Sequence, residues 1–267
     1  IGMDEAPAQA VRAKKDSSIN VAMSLVKRGV AGGFVSAGNT GAVMASALLT
    51  LGRIHGVRRP ALGRLAPPRT DDRGILVLDI GANADVKPTY LVQFAQMGSV
   101  YAERVMGIKN PRIALLNIGE EEGKGNELTQ DVFQRLQNAG VNFIGNIEGG
   151  EVVKGKADVV VTDGFTGNVA IKVTEGVAEF IFRELRKSLT SKLHYKLAAL
   201  VLRPGLLAMR DRLDPGIHGG APLLGVNGFV LIGHGNSNAV AIKNALIKAN
   251  DGAGSGMIDS IKNALRK

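Results

Sequence analysis

Apolar residues along this chain fall into two repeating patterns. Short apolar runs lie at 34–35, 61–65, 74–79, 112–117, 141–145, 157–162 and 228–232, and each predicts a strand. Longer stretches with helical spacing alternate with them: 19–28, 43–51, 87–106, a segment ending at 138, 169–189, a segment ending at 249, and 257–265. Ser17 or Ser18 caps the first of these helices, and Pro88 is comfortable in the first turn of the third. Residues 1–16 are polar and predict a loop, as does the stretch 218–225. Prolines on both sides of 61–65, at Pro60 and at Pro67-Pro68, predict an edge strand there. The alternation as a whole predicts a doubly wound, mostly parallel α/β sheet.

Two helices carry unusual patterns. The helix at 87–106 is apolar on nearly every face (Leu91, Val92, Phe94, Ala95, Met97, Val100, Tyr101, Ala102), which predicts burial all round, with a second subunit covering part of it. In the other, Val169, Val173, Val177, Ile181, Leu185 and Leu189 recur at spacing four. The stripe continues through Leu193, Leu197, Leu200 and Val201, breaks at Arg203-Pro204-Gly205, and resumes at Leu206, Leu207 and Met209. Between Arg183 and Arg212, eight Lys and Arg stand against two acids, Glu184 and Asp211. A basic amphipathic hairpin at 183–213 suits an anionic membrane surface or a protein partner; a hairpin packed on its own domain is the equal alternative.

Five of the predicted strands end in glycine and small polar residues. The turns are Ser36-Ala37-Gly38-Asn39-Thr40-Gly41, Asp79-Ile80-Gly81-Ala82-Asn83, Asn117-Ile118-Gly119-Glu120-Glu121, Thr162-Asp163-Gly164-Phe165-Thr166-Gly167-Asn168 and Gly233-His234-Gly235-Asn236-Ser237. A helix N-terminus offers unpaired N–H groups and partial positive charge, so each turn suits an anion such as phosphate. Any one of them is equally a helix cap. If the strands are parallel, all five lie at one sheet edge, as a polar cleft lined by helix N-termini.

Composition narrows the chemistry. The 267 residues include 35 glycines, no tryptophan and no cysteine, with aromatics at 4%. Without cysteine there is no disulfide, thiolate metal site or cysteine acyl intermediate, and four scattered histidines argue against zinc. No run of about 18 apolar residues predicts a membrane-spanning helix. A net charge of +9 suits an acidic protein or an anionic surface; no nucleic-acid motif or basic stripe with aromatics accompanies it, so nucleic acid is not expected. No dinucleotide fingerprint and no Walker A spacing is found. Ser237 resembles a nucleophile elbow, but no histidine follows it. What remains is positioning and hydrogen bonding of an oxyanion. Lys124 and His234 are the charge-bearing candidates, Asp163 is a helix cap before it is a base, and no cofactor is expected.

The same turns, together with Val92-Gln93-Phe94-Ala95-Gln96-Met97-Gly98, Lys124-Gly125 and Gly220-Ala221-Pro222-Leu223-Leu224-Gly225, resemble the bacterial phosphate acyltransferase family of phospholipid synthesis (PlsX). The resemblance runs from about Lys14 to Ala249 with the motifs in family order. It implies a fold like that of the isopropylmalate dehydrogenase and phosphotransacetylase group, built as one catalytic α/β domain over 1–267 with 183–213 as its protruding hairpin. Family members begin with a further strand, so the resemblance also implies an absent N-terminal segment. It implies transfer of a fatty acyl group from acyl carrier protein to inorganic phosphate, giving acyl phosphate for a membrane glycerol-3-phosphate acyltransferase. The enzyme would be a cytoplasmic homodimer docked peripherally on the membrane. On this reading phosphate sits on Ser36, Gly38, Asn39, Thr40 and Gly41, with Asn83, Gly164 and Gly235 beside substrate, and Asn168, Lys124, His234 or Asp163 serves the reaction. Leu200, Val201, Leu206 and Leu207 would meet the membrane. The alternatives are a non-catalytic membrane-associated scaffold that binds acyl carrier protein, and an acetyl-CoA phosphotransferase.

Overall fold

A computed structural model describes residues 1–66, 74–213 and 219–266. The Pro67-Pro68 pair and His218 lie outside them. Among the described residues eight strands form one sheet, in the order β1 (Gly33–Ser36), β8 (Phe229–Ile232), β7 (Ala221–Leu224), β2 (Ala61–Ala66), β3 (Ile75–Leu78), β6 (Val159–Val161), β4 (Ile113–Leu116) and β5 (Phe143–Ile147). Four strand pairs are parallel and three antiparallel, so the sheet is mostly parallel, as its alternating pattern predicts.

The antiparallel pairs are consecutive, and they form a seam. Strand β7 opposes β8, β2 opposes β7, and β3 opposes β2. Three reversals in a row make β1 and β8 run opposite to β3, β6, β4 and β5. The five glycine turns therefore do not share one edge. Those after β3, β4 and β6 lie at one edge, and those after β1 and β8 at the other. The expectation of a single cleft fails because it needed a wholly parallel sheet.

Alternate residues of the strands feed two cores, one on each face. Leu76, Leu78, Ile113, Leu115, Val159 and Val161 pack with α4 (Pro88–Arg104), α5 (Glu127–Leu136) and α10 (Met257–Ala264). Ile75, Val77, Ala114, Val160, Val230 and Ile232 pack with Met23 of α2 (Ser18–Lys27) and Val43 and Ala47 of α3 (Thr40–Thr50). Strands covered on both sides explain why the runs read as continuously apolar. Leu91, Phe94, Met97 and Tyr101 of α4 are fully buried between the sheet, α5 and α10. The chain itself thus supplies most of the burial of α4.

Three local expectations are corrected. Residues 1–16 contain a helix, α1 (Pro7–Ala13), with Pro7 at its first position. The stretch 61–65 is a central strand, because β7 pairs with it on the side left open by sequence. And β7 itself falls in the segment 218–225 expected to be loop.

After the short α6 (Gly149–Val152), helix α7 (Gly164–Leu189) and helix α8 (Leu193–Leu213) form the hairpin. Only Gly164 and Gly167 of α7 are buried. The stripe Val169, Val173, Val177 and Ile181 is 47–58% exposed, and no described residue of α8 is buried. The hairpin stands off its own domain. Its turn falls at 190–192; α8 continues through Pro204, so Arg203-Pro204-Gly205 interrupts the apolar stripe without ending the helix. Proline removes one helical hydrogen bond, and on an exposed helix water can serve the carbonyl so released. Near the middle of α7, Glu175 pairs with Arg64 of β2 at 2.5 Å and with Lys172 at 2.8 Å, tying the helix to the sheet. Among the described residues no helix is long and apolar enough to cross a membrane.

Candidate active site

Strands β3, β6 and β4 are neighbours, and at about 4.8 Å per strand their carboxyl ends lie within about 10 Å of one another. The turn after β3 is built around Asp79, which is wholly buried. Its Oδ1 accepts from the amides of Leu62, Gly81 and Ala82, and its Oδ2 from the amide and side chain of Asn83. Burial pushes the Asp79 carboxyl up from the ordinary value, and these hydrogen bonds pull it back. Asp79 thereby welds the turn to β2. Asn83 uses its side-chain nitrogen twice, toward Asp79 and toward the carbonyl of Pro60 at 2.8 Å.

The first turn of α7 is seated on that loop. A Cβ at Gly167 would come within 1.9 Å of the Asp79 carbonyl oxygen, and one at Gly164 within 2.6 Å of the Asn83 carbonyl oxygen. Only glycine allows the helix so close. Asp163 caps α7, its Oδ1 accepting from the Thr166 amide at 2.8 Å. That commits the carboxylate to the fold and argues against its use as a base. Asn168 donates to the carbonyl of Ile80 at 3.1 Å and lies over Gly81.

After β4, Lys124 is exposed, with its stem folded over Gly119. Its carbonyl accepts from the Asn117 side chain at 3.0 Å and its amide donates to the Glu121 carbonyl at 3.1 Å. Lys124, Asn168 and the start of α7 thus follow neighbouring strands at one edge, where the exposed lysine supplies positive charge for an oxyanion. The adjacent hollow of about 520 Å³ is lined by Glu122, Glu127 and Asp131 and repels anions. No group of three or more His, Asp or Glu among the described residues is placed to hold a metal ion.

Ser36, Gly38, Asn39, Thr40, Gly41, His234 and Gly235 lie at the opposite edge. From β1 to β3 is four strand spacings, on the order of 19 Å. There the side chains of Ser36 and Asn39 are already engaged, while Thr40 is exposed. Asn39 caps α3 through the Ala42 amide at 3.0 Å and donates to the Gly2 carbonyl at 3.0 Å. Ser36 Oγ accepts from the Gly38 amide at 3.1 Å, and Pro7 lies against Gly41. His234 is exposed, its Nδ1 accepting from the Asn236 amide at 3.3 Å. The chain therefore does not bring His234 or the Ser36 turn to Lys124 and Asn168. The sequence places Asp79 and Asn117 in two of the glycine turns without assigning either a role of its own, and gives Asn146 none. The signal for the first two is a polar residue closing an apolar strand immediately before Ile-Gly.

Residues 1–260 match the family model described as "Fatty acid synthesis protein". The chain is 53% identical to the phosphate acyltransferase of Desulfitobacterium hafniense (strain DSM 10664 / DCB-2), over 99% of this chain and 79% of that protein. It is 56% identical to the phosphate acyltransferase of Dictyoglomus turgidum, over 92% of this chain and 73% of that protein. Among solved structures, the EutD phosphotransacetylase from Staphylococcus aureus shares the fold at a TM-score of 0.60 and 16% identity, covering 92% of this chain and 74% of that one. With nearly all its length so matched, the chain belongs to the fatty acid synthesis protein family, in the company of the phosphate acyltransferases.

Proposed function

We propose that this chain transfers a fatty acyl group from acyl-acyl carrier protein to inorganic phosphate, forming acyl phosphate for phospholipid synthesis, at the edge formed by β3, β6 and β4. The shared name of its relatives supports acyl transfer to phosphate. The observation that supports this edge is the strand order: β3, β6 and β4 are neighbours running the same way, Lys124 lies in the turn after β4, and Asn168 lies near the start of α7, after β6. Phosphate rests against Lys124 and the α7 N-terminus, and one of its oxygens attacks the thioester carbonyl. A carbon–oxygen bond forms, the oxyanion draws on Asn168 and Lys124, and the carbon–sulfur bond then breaks. The thiol leaves with the proton given up by phosphate. The chain contains no cysteine, and no covalent enzyme intermediate is needed.

The net charge of +9 suits an acidic carrier protein as donor. The hairpin suits a bilayer surface: Leu200 and Val201 are 66% and 81% exposed amid basic residues, with Leu206 and Leu207 one to two turns on. Cytoplasmic, peripheral placement, a homodimer and a membrane glycerol-3-phosphate acyltransferase as consumer of the product rest on the family resemblance. The test offers acyl carrier protein thioester, long-chain acyl-CoA and acetyl-CoA together with phosphate. Long-chain acyl phosphate drawn from the carrier supports the reading. Acetyl phosphate alone points to an acetyl-CoA phosphotransferase, and carrier binding without turnover to a scaffold.

A further inference from the structure

The Lys124 turn is held by a residue from a different strand. Asn146 lies near the end of β5, is 4% exposed, and pairs with Leu115 in the β4–β5 ladder. Its Nδ2 donates to the carbonyl of Glu121 at 2.9 Å. The same carbonyl accepts the amide of Lys124 at 3.1 Å. One backbone oxygen thus joins Asn146 to the hydrogen bond that turns the chain at Lys124. On the far side, Asn117 holds the Lys124 carbonyl at 3.0 Å, and Gln130 holds the carbonyl of Gly123 at 2.9 Å. The lysine stem, fixed in this way, lies over Gly119, where a Cβ would come within 2.9 Å of Lys124 Cγ. Asn146 Oδ1 is buried and has no hydrogen-bond partner.

We infer that Asn146 is a positioning residue for the acyl transfer: it fixes the 119–125 turn so that Lys124 meets the phosphoryl and oxyanion charge in the transition state. This inference rests on the proposed role of Lys124. It differs from a packing role because it predicts that the effect of Asn146 passes through one side chain. A shift of the lysine by about 1 Å costs on the order of 10²-fold in rate where geometry is tight. Loosening the turn is therefore expected to cost at least tenfold.

The test is a double-mutant cycle on acyl phosphate formation with saturating acyl donor and varied phosphate. The variants are Asn146→Ala, Asn146→Ser, Lys124→Ala and the two doubles, each checked by thermal midpoint. Expected is at least a tenfold loss of kcat/KM for phosphate in Asn146→Ala, shrinking to about twofold or less when Lys124 is already alanine. Asn146→Ser, which keeps a hydroxyl donor at lower volume, is expected to fall between. Equal losses in both backgrounds would overturn the inference and leave the role of Lys124 standing. Full activity of Lys124→Ala would overturn both. If Asn146→Ala fails to fold, the serine variant closes the same cycle.

Discussion

The chain leaves β1 through Ser36-Ala37-Gly38-Asn39 into α3, and leaves β6 through Thr162-Asp163-Gly164 into α7. Both helices are capped by a side chain that accepts from an amide three residues on. The difference lies in what covers them. Over α3, Pro7 lies on Gly41, the Gly2 carbonyl takes the Asn39 amide, and Asn39 is 7% exposed. Over α7, the helix rests on the 79–83 backbone from below and leaves Phe165, Thr166 and Asn168 exposed. The same strand–glycine–helix syntax makes a cap overlaid by residues 2–7 in one place and a helix start seated on the 79–83 loop in the other, where the Asn83 carbonyl takes the Gly164 amide and Asp163 takes those of Thr166 and Gly167. Distant residues decide which.

The widest gap between the two edges is expected in rate. Lys124→Ala should lower kcat/KM for phosphate by about 10²-fold or more, while His234→Ala should leave it unchanged in the same assay. A large loss in His234→Ala would move the chemistry to the other edge. Next in size is the seat of α7. Gly167→Ala forces a methyl group against the Asp79 carbonyl and should cost about 3 kcal/mol in denaturant unfolding. A near-neutral result would mean that helix and turn are not in contact. Replacing Asn39 with alanine removes a cap and should cost about 1 kcal/mol, with activity per folded molecule retained. Activity lost at full stability would restore the Ser36 turn as a phosphate cradle.

Smallest is the tie between hairpin helix and sheet. Burial opposes the charge of Glu175, but Lys172 and Arg64 outweigh it and hold the carboxyl below its ordinary value of 4.5. The folded state then binds protons less readily than the unfolded one, so this pairing stabilises above pH 4.5 and fades as pH falls through the lowered folded value. Glu175→Gln should lower the thermal midpoint at pH 7 by an amount worth about 1 kcal/mol or less, with the difference shrinking steadily as pH falls below 4.5. A difference that persists in acid would show that the carboxylate acts through packing.

Much of this was legible in the sequence. The strands β3, β4 and β6 announce themselves as apolar runs because both faces are covered, and the turns after them carry the glycines that α7 requires. The signal for α1 was present as Pro7 followed by Ala, Gln and Ala. Two things were not legible. Strand β7 carries Pro222 in the middle of a sheet, against its propensity, because its neighbours hold it there. And the direction of one parallel block against the other depends on Ala61 finding Leu224, a pairing about 160 residues long that leaves no local mark. The partition of the glycine turns between two edges was therefore invisible.

That same pairing sets a schedule for synthesis. Gly33 pairs with Phe229, so β1 emerges from the ribosome almost two hundred residues before its partner exists. At 5–20 residues per second, it waits about 10–40 s. The block from β3 to β6 holds its own partners within 75–161 and can close while β1 still waits for β8. A nascent chain halted before residue 221 is expected to show a protease-resistant middle and a cleavable beginning. The most vulnerable moment of this protein's life would then fall while its hairpin is being made.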